Sequence, residues 1–232
     1  MKSCPNCLAE LQPDPDQALQ AMAATFIRGF YLSRPSGEPP FAAGPACTLL
    51  RTRPHASLIF IGDDGYLEAH VEGRDHRAVP PLSCRDMDGQ ELFRLERYQA
   101  AADAVVAYGA DGAPLATYLR RPGGLHAVID VRDETSAPAA VLRMGAGGAG
   151  ARYDLIETGG SAVAAVGCAD IEADRWVDDQ WSLRPLVAAR DLPIRPLAAV
   201  ALLLAAKVLV GRPTPARTAS PEPGPFDLYG GD

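Results

Sequence analysis

The chain lacks the short signatures that announce common catalytic classes: there is no Gly-x-Ser-x-Gly elbow, no His-Glu-x-x-His pair and no Walker loop. Histidine is scarce, four in 232 residues, and no nucleophile and base set assembles from the sequence, so an enzyme is not the expectation. Positive charge is also short. With 22 Lys and Arg against 29 Asp and Glu, the formal net charge is -7, and no long basic stripe exists to neutralise phosphates, which argues against nucleic acid as a partner. Five cysteines, an odd and scattered set, fit reduced thiols better than a disulfide framework. The opening Met1-Lys2-Ser3-Cys4 has no apolar core of a secretory signal, so the expected location is cytoplasmic, peripheral to the membrane if lipid is bound.

No apolar run reaches the eighteen or so residues of a membrane span. The strongest is residues 196–210, apolar nearly all round, with Leu197, Val200, Leu203, Leu204 and Val208 among its large side chains. A helix of this kind belongs in the centre of a core or in a membrane. Its length of about 21 Å falls short of the roughly 30 Å hydrocarbon slab, and Lys207 interrupts it, so the core is favoured over a single-pass anchor.

Between residues 47 and 186 the chain breaks into about twelve short β-prone runs: 47–53, 57–61, 66–71, 81–85, 91–98, 104–108, 114–120, 125–130, 139–142, 152–156, 162–166 and 181–186. Their punctuation is Asp64-Gly65, Asp88-Gly89, Asp111-Gly112, Gly123-Gly124 and Gly159-Gly160, residues that accept positive φ in hairpin turns. Strand, acidic turn, strand recurs about every 23 to 25 residues, which reads as an up-and-down meander. So many antiparallel strands close on themselves or leave adhesive edges. A barrel of about twelve strands has a lumen wider than its own side chains fill, and the helix at 196–210 is the expected plug. The fold class is therefore mainly β, a closed antiparallel barrel around a buried C-terminal helix.

Appendages flank this unit. Cys4-Pro5-Asn6-Cys7 is a Cys-x-x-Cys knuckle that offers two thiolates to zinc; Cys47, Cys84, Cys168, His55, His70 and His76 complete a site only if the fold delivers them. A knuckle without metal, and a redox pair, remain open readings. Residues 16–32 carry Leu19, Met22, Phe26 and Phe30 at helical spacing, completing an appendage over 1–34. Residues 35–46 are a Pro/Gly linker, 47–211 the barrel with its helix, and 212–232 a Pro-rich tail without core-forming residues.

Serial hairpins with acidic-Gly turns, the late strand Arg175-Trp176-Val177-Asp178-Asp179-Gln180-Trp181-Ser182-Leu183, and Leu192-Pro193-Ile194-Arg195-Pro196-Leu197 leading into an apolar helix resemble the tubby C-terminal-like superfamily. Within it, the LURP-one-related and phospholipid scramblase-like branch is most similar. Tyr108 to Leu119 and Tyr153 to Ala164 also carry the resemblance, which covers residues 47–211. It implies a twelve-stranded barrel around a central helix and, in some members, binding of phosphoinositides or other membrane lipids. The cations offered for such binding are Arg94, Arg97, Arg120, Arg121 and Arg184, although Arg120 and Arg121 cannot share one face of a strand. Asp170, Glu172, Asp174, Asp178 and Asp179 fall near the calcium-associated segment of scramblase-like proteins, but without EF-hand spacing they read as solvated loop carboxylates.

Gly145-Ala146-Gly147-Gly148-Ala149-Gly150 imitates a dinucleotide fingerprint, yet Gly159-Gly160 follows too soon for a helix, so a hairpin loop is expected. Trp176 and Trp181 read as packing rather than as a stacking pair. The expected function is a non-catalytic binding or interaction module that contacts phospholipid or phosphoinositide through a barrel rim. The alternatives are a zinc-knuckle adaptor that meets a protein partner through Cys4 and Cys7, with the barrel as scaffold, and a single-pass membrane-anchored protein.

Overall fold

A computed structural model describes residues 38–52, 58–73, 80–98, 103–122, 127–145, 151–170 and 177–210. The knuckle and helix expected at 1–34, the Gly-rich run at 146–150, and the tail at 212–232 lie outside these residues.

Twelve strands follow one another: β1 (Cys47–Thr52), β2 (Leu58–Gly62), β3 (Leu67–Gly73), β4 (Leu82–Asp86), β5 (Glu91–Arg97), β6 (Ala104–Gly109), β7 (Pro114–Arg120), β8 (Val128–Arg132), β9 (Pro138–Met144), β10 (Ala151–Glu157), β11 (Ala162–Asp170) and β12 (Val177–Pro185). Each pairs antiparallel with its sequence neighbours, and β12 returns to β1 with Leu49 opposite Trp181, so the barrel closes and no edge is left to recruit other chains. A 3-10 turn (Ala189–Asp191) leads to helix α1 (Pro196–Val210). The largest departures from the sequence reading are β11, which runs four residues further to Asp170, and β12, which starts four residues earlier at Val177; β8 starts three residues later, at Val128. For β12 the reason is tertiary: Arg51 opposite Asp179 and Asp170 opposite Asp179 extend the ladder through a charged stretch that looks like a loop in isolation.

The two ends of the barrel are built differently. At one end, residues 63–65, 87–89, 110–112, 134–136 and 158–160 make five near-identical turns, each closing on a residue in the left-handed region: Gly65 at φ 84°, Gly89 at 83°, Gly112 at 78°, Ser136 at 68° and Gly160 at 90°. Acidic side chains finish several turns. Asp86 Oδ1 accepts the N–H groups of Asp88 and Gln90 at 3.0 and 2.8 Å, and Asp133 Oδ1 accepts those of Thr135 and Ala137 at 2.8 and 3.0 Å. The hydroxyl of Thr135 and these amides hold the Asp133 carboxyl below its usual range. A register shift follows each turn, as at Cys84/Arg85 and Ala107/Tyr108, the extra residue expected of a turn ending in a left-handed position. The remaining strand connections, at the other end, are the longer ones.

Inside, alternation delivers Leu49, Phe60, Leu95, Tyr118, Leu142 and Trp181, each 0% exposed, onto α1. The helix packs against β7, β12, β5, β6 and β1, and every residue from Ala198 to Ala206 is 0% exposed. Val200, Leu203 and Leu204 are fully buried, while Leu197 and Val208, near its ends, are partly buried. Each large aliphatic side chain so buried contributes about 1.5–3 kcal/mol, and the intervening alanines let the helix fit among the inward side chains. Pro196 occupies the first helical position, where its missing N–H costs nothing, and the first intrahelical bond runs from Ala199 N–H to Arg195 O at 3.0 Å.

Fixed points hold the helix axially. At the turn end Arg195 Nη2 lies 3.2 Å from Glu134 Oε1. From β7, the hydroxyl of Tyr118 donates to Ala198 O at 2.6 Å and Arg120 Nη1 donates to Leu209 O at 2.8 Å. Those carbonyls are about 16 Å apart along the helix, so two side chains two residues apart fan out to grip both halves of the plug. Burial pushes the Tyr118 phenol well up, which keeps it a donor. The anchor reading of this segment gives way to burial inside the barrel, and among the described residues no helix is long and apolar enough to cross a membrane.

Leu203→Asp places an unpaired carboxylate in that core, at a cost above about 4 kcal/mol; the expected result is loss of the cooperative thermal transition, and a folded, normally melting variant would remove the helix from the core. Ser136→Gly relieves the left-handed residue that is not glycine among these five hairpin turns, with an expected gain of about 0.5–1 kcal/mol, read as a melting temperature higher by about 1–4 °C.

Candidate functional site

The outer wall over β8, β9 and β10 is concave, with a volume of about 610 Å³, within the range of small-molecule sites. Register explains its lining. Asp130 stands opposite Val141, which stands opposite Ile156, while Val128 stands opposite Arg143 and Arg132 opposite Pro138. Since Ile129 and Leu142 point into the barrel, these partners all point out. The floor is Val128, Val141 and Ile156, three aliphatic side chains on a face where polar residues are expected. Above it stand Arg121, Arg132 and Arg143, and at the turn end Glu157 and Thr158.

The three cations differ in how far they are engaged. Arg121 is held by Asp130 in a two-pronged contact, Nε at 2.9 Å and Nη2 at 2.6 Å, which raises its pKa above the usual guanidinium value. Arg132 reaches only the carbonyl of Ser136 at 3.5 Å. Arg143 is exposed and, among the described residues, has no ion-pair or hydrogen-bond partner: the carboxylate opposite it, Asp154, takes Arg152 Nε at 3.1 Å and folds over Gly145, where a side chain would meet it. Thr158 Oγ1 donates to Ala139 O at 3.2 Å, satisfying the carbonyl turned out where Ala139 bulges between paired residues. The site has free guanidinium donors over an apolar floor, the chemistry of holding an amphipathic anion.

The sequence's candidate cations are spread around the barrel. Arg94 is outward on β5, bonded to Glu96 at 2.8 Å and Glu91 at 3.4 Å and lying 5.3 Å from the Tyr108 ring. Arg97 ends β5 at the loop end and is exposed. Arg120 turns inward to the helix carbonyl, whereas Arg121 turns outward into the groove. Arg184 is exposed on β12, opposite Ala165. Only Arg121 of the five lines the groove. Arg132 and Arg143 were missed, and the available signal was the outward parity of Val128, Val141 and Ile156, which becomes a surface only when three strands are set in register.

Cys4 and Cys7 lie outside the described residues, as do His55, His76 and His126; for Asp178 and Asp179 only the backbone is described. Cys47, Cys84 and Cys168 are outside any disulfide and buried on the barrel interior. Burial pushes the Cys47 and Cys84 thiols far up, with the Glu68 carboxylate adding to the shift at Cys47. Among the described residues no three His, Cys, Asp or Glu side chains gather as a metal site. Trp181 stacks on Tyr153 with centroids 6.3 Å apart inside the core, where its Nε1 has no acceptor among the described residues.

No protein-family profile matches the chain, and no curated protein does. Among solved structures it is similar to the X-ray structure of a protein from Arabidopsis thaliana, at 12% identity, over 69% of this chain and 88% of that one, with a TM-score of 0.43.

The neighbours Arg120 and Arg121 separate structural from surface roles. Arg120→Met removes the donor at the C-terminal end of α1, with an expected loss of about 1–2 kcal/mol seen as a lower melting temperature. Arg121→Met removes an exposed pair and should leave the melting temperature unchanged.

Proposed function

We propose that the chain is a non-catalytic binding module and that the groove over β8–β10 takes an anionic phospholipid, headgroup on Arg132 and Arg143 and apolar portion on Val128, Val141 and Ile156. The observation that carries this reading is Arg143, an exposed cation without a partner among the described residues, standing beside an aliphatic floor. A guanidinium over bare aliphatic carbon binds both halves of an amphiphile, while a soluble anion uses only the first. The net charge of -7 opposes indiscriminate adsorption to an acidic bilayer, so contact must come from this local surface. The resemblance to the tubby C-terminal-like superfamily, LURP-one-related and scramblase-like branch, is compatible with the same reading, since it implies lipid contact in some members. The contact surface is then the barrel wall, where the sequence reading had placed it at a rim. The adaptor alternative rests on Cys4 and Cys7, outside the described residues.

Co-sedimentation with phosphatidylcholine vesicles, with and without phosphatidylserine or a phosphoinositide, tests it. Binding is expected only with anionic lipid, and Arg143→Glu should weaken it by about ten-fold to a hundred-fold, the worth of about 1.5–3 kcal/mol in charged hydrogen bonds. Arg184→Glu, on a distant strand, should bind as the unaltered chain does. Equal losses from both substitutions would reduce the effect to net charge, and absence of binding to every vesicle would end the lipid reading.

A further inference from the structure

The wall on the other side of the barrel carries a second apolar surface that is covered. Leu50 and Ile59 are a cross-strand pair on β1 and β2, and their strand neighbours Leu49, Leu58 and Phe60 point inward, so this pair points out. Ile61 opposite Leu67 continues the outward row onto β3, and Met87 packs against it from beyond β4. An outward aliphatic side chain on a barrel wall is ordinarily at least partly wet, yet Ile59 and Leu67 are each 0% exposed and Leu50 is 7% exposed. His70, opposite Ile59, adds an independent sign. Its side chain keeps 22% of its exposure, and Nε2 approaches Glu72 at 3.4 Å, but Nδ1 is shut off from solvent and has no hydrogen-bond partner among the described residues. Whatever covers this wall is apolar where it meets the imidazole.

The place of the patch selects the cover. Leu67 opens β3 at the turn end, six residues and about 20 Å from Gly73 at the other end of its strand, whereas Leu50 and Ile59 lie towards that other end, so the patch crosses the wall from one end to the other. The described chain comes in at that same turn end. Phe41 packs edge-on to Phe60 at 5.9 Å, its N–H donates to the buried Glu68 at 2.9 Å, and β1 begins at Cys47. We infer that residues 16–32 lie across the outer face of β1–β3, with Leu19, Met22, Phe26 and Phe30 against Leu50, Ile59 and Leu67. Seventeen helical residues span about 25 Å, enough to cross three strands, and residues 33–37 extend to about 17 Å, enough to bring the segment back from Glu38. An amphipathic segment with one apolar stripe and a β-wall with one apolar patch each remove the other's exposed surface. This docking involves the wall opposite the groove and does not rest on lipid binding.

A photo-crosslinking residue at position 26 of the full chain, with mass mapping of the product, tests the placement. The expected product is intramolecular, joining position 26 to a peptide within 47–73. A product joining two chains would assign the patch to a second copy, and a product elsewhere in the same chain, or none, would overturn the docking. A thermal double-mutant cycle is the second measurement: Phe26→Ala and Leu67→Ala should each lower the melting temperature, and together by less than their sum. Strict additivity, or no effect of Phe26→Ala, counts against the inference.

Discussion

A twelve-strand barrel has an interior that its own side chains cannot close, and the rest of this molecule follows from filling it with α1. The filler is surrounded, so it must be apolar on every side, and residues Ala198 to Ala206 are. A surrounded helix has no polar face to define its height or rotation, because leucine packs against leucine at many settings. Directional bonds supply what packing does not. Tyr118 and Arg120 take carbonyls in the two halves of the helix, and Arg195 meets Glu134 at the entrance.

The same closure separates the two faces of every strand. Inward positions are committed to the helix, and outward positions are free to vary. Across most of the wall they carry ion pairs, such as Arg94 with Glu96 and Arg85 with Glu72. Among the described residues, two regions gather several aliphatic side chains pointing out, one over β8–β10 beneath arginines and one over β1–β3 sealed from solvent. An aliphatic side chain facing outward contributes nothing to the plugged core, so both regions point to contacts beyond it. Their difference in exposure separates a surface open to solvent from one that is shut off from it.

Much of this was readable in advance. Local chemistry located the strands: acidic residues that cap turns, glycines at left-handed positions, and a 23 to 24 residue spacing from Gly65 to Gly160 that repeats one hairpin five times. The candidate groove was not readable in the same way. Arg121 was found, but Arg120 beside it serves the helix, and which of the two faces out depends on the pairing of Arg120 with Ile129. Val128, Val141, Arg143 and Ile156 lie on three strands and meet only through register. Ser136 shows the opposite limit, a turn whose backbone matches its four relatives although its residue type does not announce it.

What the sequence by itself determined is what short-range physics controls: where strands stop, that they alternate inside and out, and that residues 196–210 need a dry environment on all sides. What only the tertiary structure decided is which residues share a surface. Register sets cross-strand neighbours, and closure sets which face is interior. Both are collective properties of twelve strands and one helix, since a shift of one residue in a single strand would exchange its two faces without altering any local preference.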